Sequence, residues 1–245
     1  MKKVFVALFV FMTMFKVQAQ EPIRIGVDPF TPPFIMQGGN QQLYGFDIAM
    51  MQYICRAMQR SCVFVPLHIR ELVPAVAERK VDAAVSVLTV TSERLAQVNF
   101  SLPYLLSQAR FLGPVSLGNQ PFSLDLLNGR SIGIAKGSIF PLVIHSLGIR
   151  PTRIEEYEDY PSLIDALQGG KVGLALMDSP TALYWQNQSS KRLSVLGQPF
   201  TFGFGFAIAV NRNEPELLNA INLALEQYQK SDAFKRDYNT YIASF

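Results

Sequence analysis

The chain has 245 residues, 49% of them hydrophobic and 17% charged, with a formal charge of +3. That length buries a sizeable core and has room for two domains. The slight positive balance gives no nucleic-acid signature, because no Lys/Arg run carries interleaved aromatics.

The first nineteen residues read as a leader. Met1, Lys2 and Lys3 make a basic start, residues 4–15 are almost wholly apolar, and Val17-Gln18-Ala19 puts a small residue at the cut. This is the pattern of a secretory signal peptide cleaved after Ala19. The apolar run is short for a membrane span, and Lys16 interrupts it. No cysteine near the cut invites a lipid anchor. Lys2, Lys3 and Lys16 leave with the leader, so the mature chain is near neutral.

Residues 23–27 (IRIGV) follow as a first strand, then a rigid loop from Asp28 to Phe34 holding Pro29, Pro32 and Pro33. Gly45-Phe46-Asp47 opens a helix, with Asp47 read mainly as its N-cap and Ile48, Met51, Cys55 and Met58 along one face. A strand over 62–65, a helix over 72–79 and a strand over 81–87 come next. A second series has strands at 109–112 and 131–135, the latter running into Lys136-Gly137-Ser138. It continues with a short helix over 124–130, a helix over 160–168 stopped by Gly169-Gly170, and a strand over 172–177 ending in Asp178. A strand over 204–210 and an amphipathic helix over 214–230 close the chain. The alternation argues an α/β fold with largely parallel sheets. No internal repeat or low-complexity segment stands out.

Cys55 and Cys62 are the only cysteines. An even count in an exported chain favours a disulfide contributing ~2–3 kcal/mol, with buried free thiols as the alternative. A metal site is not expected, since the two cysteines are seven apart and His68 and His145 are the only histidines.

Arg94 stands out electrostatically. Thr91 or Ser92 offers an N-cap just before it, so the cation falls in a helix's first turn, where partial positive charge already gathers. An anion bound between guanidinium and free amides would reconcile the two. Ser86 and Thr89 add hydroxyls at a strand's carboxyl end, where open α/β sheets bind ligands. The plain alternative is a solvent-facing arginine.

Taken in order, Pro33-Phe34, Gly45-Phe46-Asp47, the run from Thr89 to Arg94, the run from Phe100 to Tyr104, Gly137-Ser138 and Asp178 resemble solute-binding protein family 3. These are the polar amino-acid-binding proteins of bacterial ABC importers, and the resemblance spans the mature chain. Cys55 and Cys62 also match a disulfide of the branch that binds lysine, arginine, ornithine or histidine. The resemblance implies the type II periplasmic binding protein fold: two α/β lobes joined by a two-stranded hinge. Lobe 1 would hold residues 20–107 and 203–245, and lobe 2 residues 108–202.

The same resemblance implies a ligand site. Arg94 would grip the ligand α-carboxylate, helped by Thr89, with Ser86 and the Val87 backbone on the same wall. Asp178 would accept the α-ammonium. The turn of Gly137, Ser138 and Ile139 would supply donors, and Asp28 would meet the ligand side chain. Simpler roles compete: a helix N-cap for Asp178, an Asx turn for Asp28, a plain turn for Ser138. Three positions depart from the family pattern, Thr31 and Ile69 where aromatic walls are usual and Ile139 where threonine is common. Phe30 lies beside Thr31.

The implied function is a periplasmic binding protein that captures a free polar L-amino acid, with a basic one as the narrower expectation, and delivers it to an inner-membrane ABC permease. It would be a monomer, with no catalysis, cofactor, metal or nucleic acid. The alternatives are an exported enzyme on the same scaffold, of the cyclohexadienyl or arogenate dehydratase kind, and a ligand-sensing module.

Overall fold

Ile23–Val27 is a strand because its apolar side chains are buried from both faces, all but Arg24. In the computed structural model, which describes residues 21–244, it lies near the middle of a five-stranded sheet. The leader over 1–19 and its cut after Ala19 lie outside the described residues. The sheet order is Cys62–Pro66, Ile23–Val27, Ala83–Ala84, Ala209–Val210, Asn99–Phe100. The first three strands are parallel, and Ala209–Val210 runs antiparallel to both its neighbours.

A second five-stranded sheet is ordered Leu193–Thr201, Gln108–Pro114, Leu174–Asp178, Ser131–Ala135, Arg153–Tyr157. Its last three strands are parallel, and Gln108–Pro114 is antiparallel to both its neighbours. Each sheet carries its own apolar core, one around Phe34, Phe46, Met51 and Tyr228, the other around Phe111, Ile132, Leu163 and Leu174. The protein is thus two α/β lobes.

The chain passes between the lobes twice. Gln108 pairs with Thr201 and Ala109 with Phe200, the Phe202 amide donates to the Ser107 carbonyl at 3.1 Å, and Phe206 bridges to Leu105. The two crossings therefore form an antiparallel two-stranded hinge.

The Phe46–Ala57 helix buries Ile48, Met51 and Cys55 on the face read from spacing, and Met58 packs at its edge. A Cys55–Cys62 disulfide, with Cα atoms 5.9 Å apart, ties the end of this helix to the edge strand.

Several expectations change. Asp47 is not the N-cap. Gly45 holds that position at φ 127°, where a Cβ would collide with the Phe34 carbonyl, and the Asp47 side chain turns inward. The helix expected from Leu72 begins at Ile69, because Glu71 reaches back to accept from the His68 amide at 2.9 Å. The strand expected over 81–87 shrinks to Ala83–Ala84, interrupted where Val87 takes φ 42°. The one expected over 204–210 shrinks to Ala209–Val210, after positive φ at Gly203 and Gly205. Phe140–Ser146, Arg153–Tyr157, Ser179–Gln188, Leu193–Thr201 and Asp232–Tyr241 are elements that spacing did not single out.

Candidate functional site

Strand polarity brings the site together. Ile23–Val27 ends at Asp28, Ala83–Ala84 leads to the 86–89 loop, Ser131–Ala135 to Gly137-Ser138, and the strand Leu174–Asp178 ends at Asp178 itself. These are carboxyl ends of parallel strands, two from each lobe, and side chains projecting from such ends converge on a crevice.

That crevice is a narrow inner cavity of about 10 Å³. Val87, Thr89, Arg94 and Ile69 line it from the first lobe. Ser138, Ile139, Tyr160 and Asp178 line it from the second, with Phe140 and Phe202 closing the hinge side. A second cavity of about 370 Å³ shares Arg94, Ser138, Ile69 and Ile139 with it and adds Arg70 and Glu93.

Six residues expected in the site thus meet here: Val87, Thr89, Arg94, Ser138, Ile139 and Asp178. Asp28 and Ser86 stand one layer back. Asp28 is buried, accepting from the Phe30 amide at 3.1 Å and the Ile69 amide at 2.9 Å, so it closes an Asx turn and caps the Ile69–Ala77 helix. Burial raises its pKa, and the two amides oppose the rise. Ser86 is buried and donates to the Thr31 hydroxyl at 3.3 Å.

Arg94 sits in the four-residue helix Ser92–Leu95, capped by Thr91, whose hydroxyl accepts from the Arg94 amide at 3.2 Å. So short a helix has little macrodipole, and its first turn does little to disfavour a cation. What places the guanidinium is hydrogen bonding. Nη1 donates to the Thr89 carbonyl at 3.0 Å, and Nη2 to the Gly137 carbonyl of the opposite lobe at 3.3 Å. Burial lowers its pKa, with Asp178 and Glu93 pulling the other way.

Asp178 occupies the N-cap position of Ser179–Gln188 without making a side-chain capping bond. Its Oδ2 accepts from the Tyr160 hydroxyl at 3.4 Å. Burial pushes its pKa up to about 7, against the pull of Tyr160 and Arg94. Among the described residues Ser138 Oγ is buried without a hydrogen-bond partner, an arrangement that costs ~1–3 kcal/mol unless something fills it.

Around the mouth the lobes touch directly. Arg70 on the first is ion-paired with Glu158 on the second, which also accepts from Lys136 Nζ at 2.8 Å. Gly137 takes φ 80°, and a Cβ there would collide with Arg70.

Sequence reasoning missed Tyr160, read only as a helix start, and the pair Asp47–Tyr104 behind Val87. Neither has a local signal, since each partnership joins residues 18 or 57 positions apart.

Residues 23–244 match the sequence model of the bacterial extracellular solute-binding proteins, family 3. The ABC transporter arginine-binding protein 1 of Escherichia coli (strain K12) is 28% identical over 240 residues, 96% of this chain and 97% of that protein. The L-cystine-binding protein TcyJ of the same strain is 24% identical over 217 residues, 88% of this chain and 80% of that protein. A crystal structure of an arginine 3rd transport system periplasmic binding protein from Legionella pneumophila superposes with a TM-score of 0.82 at 30% identity. It covers 90% of this chain and 99% of that one.

Proposed function

The chain belongs to the bacterial extracellular solute-binding proteins, family 3, and from that premise we propose that it captures a basic L-amino acid between its lobes. In this reading it is exported, its leader is cut after Ala19, and it works as a monomer that delivers its ligand to an inner-membrane ABC permease. No bond is broken.

One observation carries the proposal. Arg94 from one lobe and Asp178 from the other share a single crevice with an unpartnered Ser138 hydroxyl. A zwitterion complements that set, its carboxylate to Arg94 and its ammonium to Asp178. Asp28, one layer behind, adds a second carboxylate. One cation and two carboxylates suit a ligand with one carboxylate and two cations.

At about 10 Å³ the inner cavity is far below the roughly 300–1,000 Å³ of an ordinary small-molecule site. Ligand therefore enters with the lobes apart, the two bodies, 20–107 with 203–245 and 108–202, rotating at the 107–108 and 200–203 crossings. A zwitterion touching both walls would then favour the closed form by its differential contacts.

A thermal-shift panel of the twenty amino acids with ornithine, citrulline and cystine, followed by calorimetry, tests the assignment. Arginine, lysine and ornithine should give the largest shifts. Cystine first, or glutamate or leucine first, would reject the basic ligand but keep the amino-acid site. No shift from any of them would reject the amino-acid reading.

A further inference from the structure

Asp47 lies in the first turn of Phe46–Ala57 and has no solvent exposure. Its Oδ2 accepts from the Val87 amide at 3.2 Å and from the Tyr104 hydroxyl at 3.0 Å, while Oδ1 is buried with no partner among the described residues. A carboxyl group placed this way is expensive to bury.

The bond it makes ends on a second costly feature. Val87 adopts φ 42°, and a β-branched residue in the left-handed region is a true outlier. Such strain persists only where its surroundings over-determine it, and it gathers at functional sites. Val87 lines the inner cavity, and two residues on, the Thr89 carbonyl accepts from Arg94 Nη1 at 3.0 Å. The Asp47–Val87 bond thus anchors the start of the turn whose far end holds the guanidinium.

The anchor is itself rigid. The Asp47 amide donates to the Phe34 carbonyl at 3.0 Å. The Phe46 ring stacks on Tyr104 with centroids 6.3 Å apart, and the Tyr104 amide donates to the Phe206 carbonyl at 2.8 Å.

We propose that Asp47 is a positioning residue, which with Tyr104 locks the 86–89 turn so that Val87, Thr89 and Arg94 present a preformed wall to the ligand. The proposal rests on the amino-acid site argued above. It also accounts for a carboxylate buried with one oxygen unused: the group serves a backbone amide, not the ligand.

The test uses the exported full-length protein and two readouts. One is L-arginine affinity by calorimetry. The other is hydrogen exchange of the Val87 amide by NMR without ligand, which does not depend on what the protein binds. Asp47→Ala should speed Val87 exchange and weaken arginine binding, each by about tenfold or more, the scale of one lost hydrogen bond. Asp47→Asn keeps an acceptor oxygen and should hold both within about threefold. Met51→Ala, a cavity elsewhere on the same helix, should lower Tm yet move neither readout.

Unchanged Val87 exchange in Asp47→Ala would overturn the proposal. So would an equal loss of arginine affinity in Met51→Ala at equal loss of Tm. If Asp47→Ala does not fold, Tyr104→Phe replaces it, with the same sign and about threefold changes expected, and no change overturns the proposal. If the wild type binds no arginine, the ligand assignment falls and Val87 exchange alone decides the role of Asp47.

Discussion

Arg94 and Gly137 face each other across the cleft, the guanidinium Nη2 of one donating to the carbonyl of the other at 3.3 Å. With Nη1 on the Thr89 carbonyl, two of the five guanidinium N–H donors are held by neutral acceptors. Charge-assisted hydrogen bonds are roughly twice as strong as neutral ones, so under the proposed function a ligand carboxylate should outcompete the Gly137 carbonyl for Nη2. Arg94→Ala should then cost ~3–5 kcal/mol of binding, two to three decades in affinity. Arg94→Lys should recover only part of it, lacking the planar fork. Calorimetry giving wild-type affinity in the alanine variant would remove the basis of the site.

Asp178 should make binding release a proton. In ligand-free protein whose lobes are already closed, burial raises its pKa to about 7, and an α-ammonium alongside favours the charged form, so the release is expected of that closed form. Near pH 6 its bound proton therefore leaves as ligand arrives, and affinity climbs with pH until about 7, then levels off. The enthalpy measured in two buffers of different ionisation heat should differ accordingly. Identical enthalpies near pH 6 would contradict the assignment, and Asp178→Asn should abolish the difference.

The same carboxyl group shapes stability. Asp178 and Asp47 both titrate near 7 in the folded protein, against about 4 for an exposed carboxylate. Between those values the native state binds more protons than the unfolded chain, so stability falls as pH rises through the window. The Tm of the ligand-free protein should drop from pH 5 to pH 8, and less steeply with arginine bound. A Tm rising over that range would count against both buried carboxyls.

Arg70 and Glu158 should act as a latch rather than as a ligand contact. The pair joins the two lobes but is partly exposed, so it is screened by salt. Glu158→Gln should speed ligand release by a factor of about two to five at low salt, and the difference should fade in high salt. Stopped-flow dissociation rates that match the wild type at low salt would dismiss the latch.

Cys55 and Cys62 sit at the end of Phe46–Ala57 and on an edge strand, outside the set of residues lining the cleft. Replacing both with serine should lower stability by ~2–3 kcal/mol and leave ligand affinity unchanged. Denaturation midpoints and calorimetry on the same variant separate the two effects. An altered affinity with little change in stability would reverse the assignment.

Elements whose information is local were readable from sequence. Ile23–Val27, Ser131–Ala135 and Tyr160–Gln168 have the residue bounds expected from apolar runs and from their Gly or Asp borders. What sequence hid is tertiary. Asp47 looks like a cap until Gly45 takes that place and Val87 supplies an amide 40 positions away. Val87 belongs to an apolar β-branched run, yet tertiary bonding twists it to φ 42° and cuts the strand short. Phe140–Ser146 hid behind Gly137-Ser138 and Pro141, residues that read equally well as a turn. Asp178 stood at an expected strand end, but its place in the site came from the family resemblance. Tyr160 was not legible, since its hydroxyl reaches Asp178 only after two strands and a helix have packed.

Asp28 is where the ligand assignment is most exposed to test. Both its oxygens already accept from backbone amides, Phe30 at 3.1 Å and Ile69 at 2.9 Å, so a cap accounts for its burial without any ligand. An ionised carboxylate has about four acceptor sites, which leaves room for a distal cation as well. The two roles separate by ligand. Asp28→Asn turns an NH2 group towards one of those amide donors, which should cost ~1 kcal/mol of stability as a lost cap, whichever ligand is used. If the side-chain cation of arginine or lysine also reaches Asp28, those ligands should lose a further ~1–3 kcal/mol of binding, the scale of a charged hydrogen bond. Glutamine, similar in length but neutral, should lose little. Calorimetry on wild type and variant with arginine, lysine and glutamine measures the difference directly. A variant that weakens all three alike, or keeps their ranking intact, would leave Asp28 as a cap and remove the second carboxylate from the case for a basic ligand. Arg94 and Asp178 would still hold the zwitterionic head.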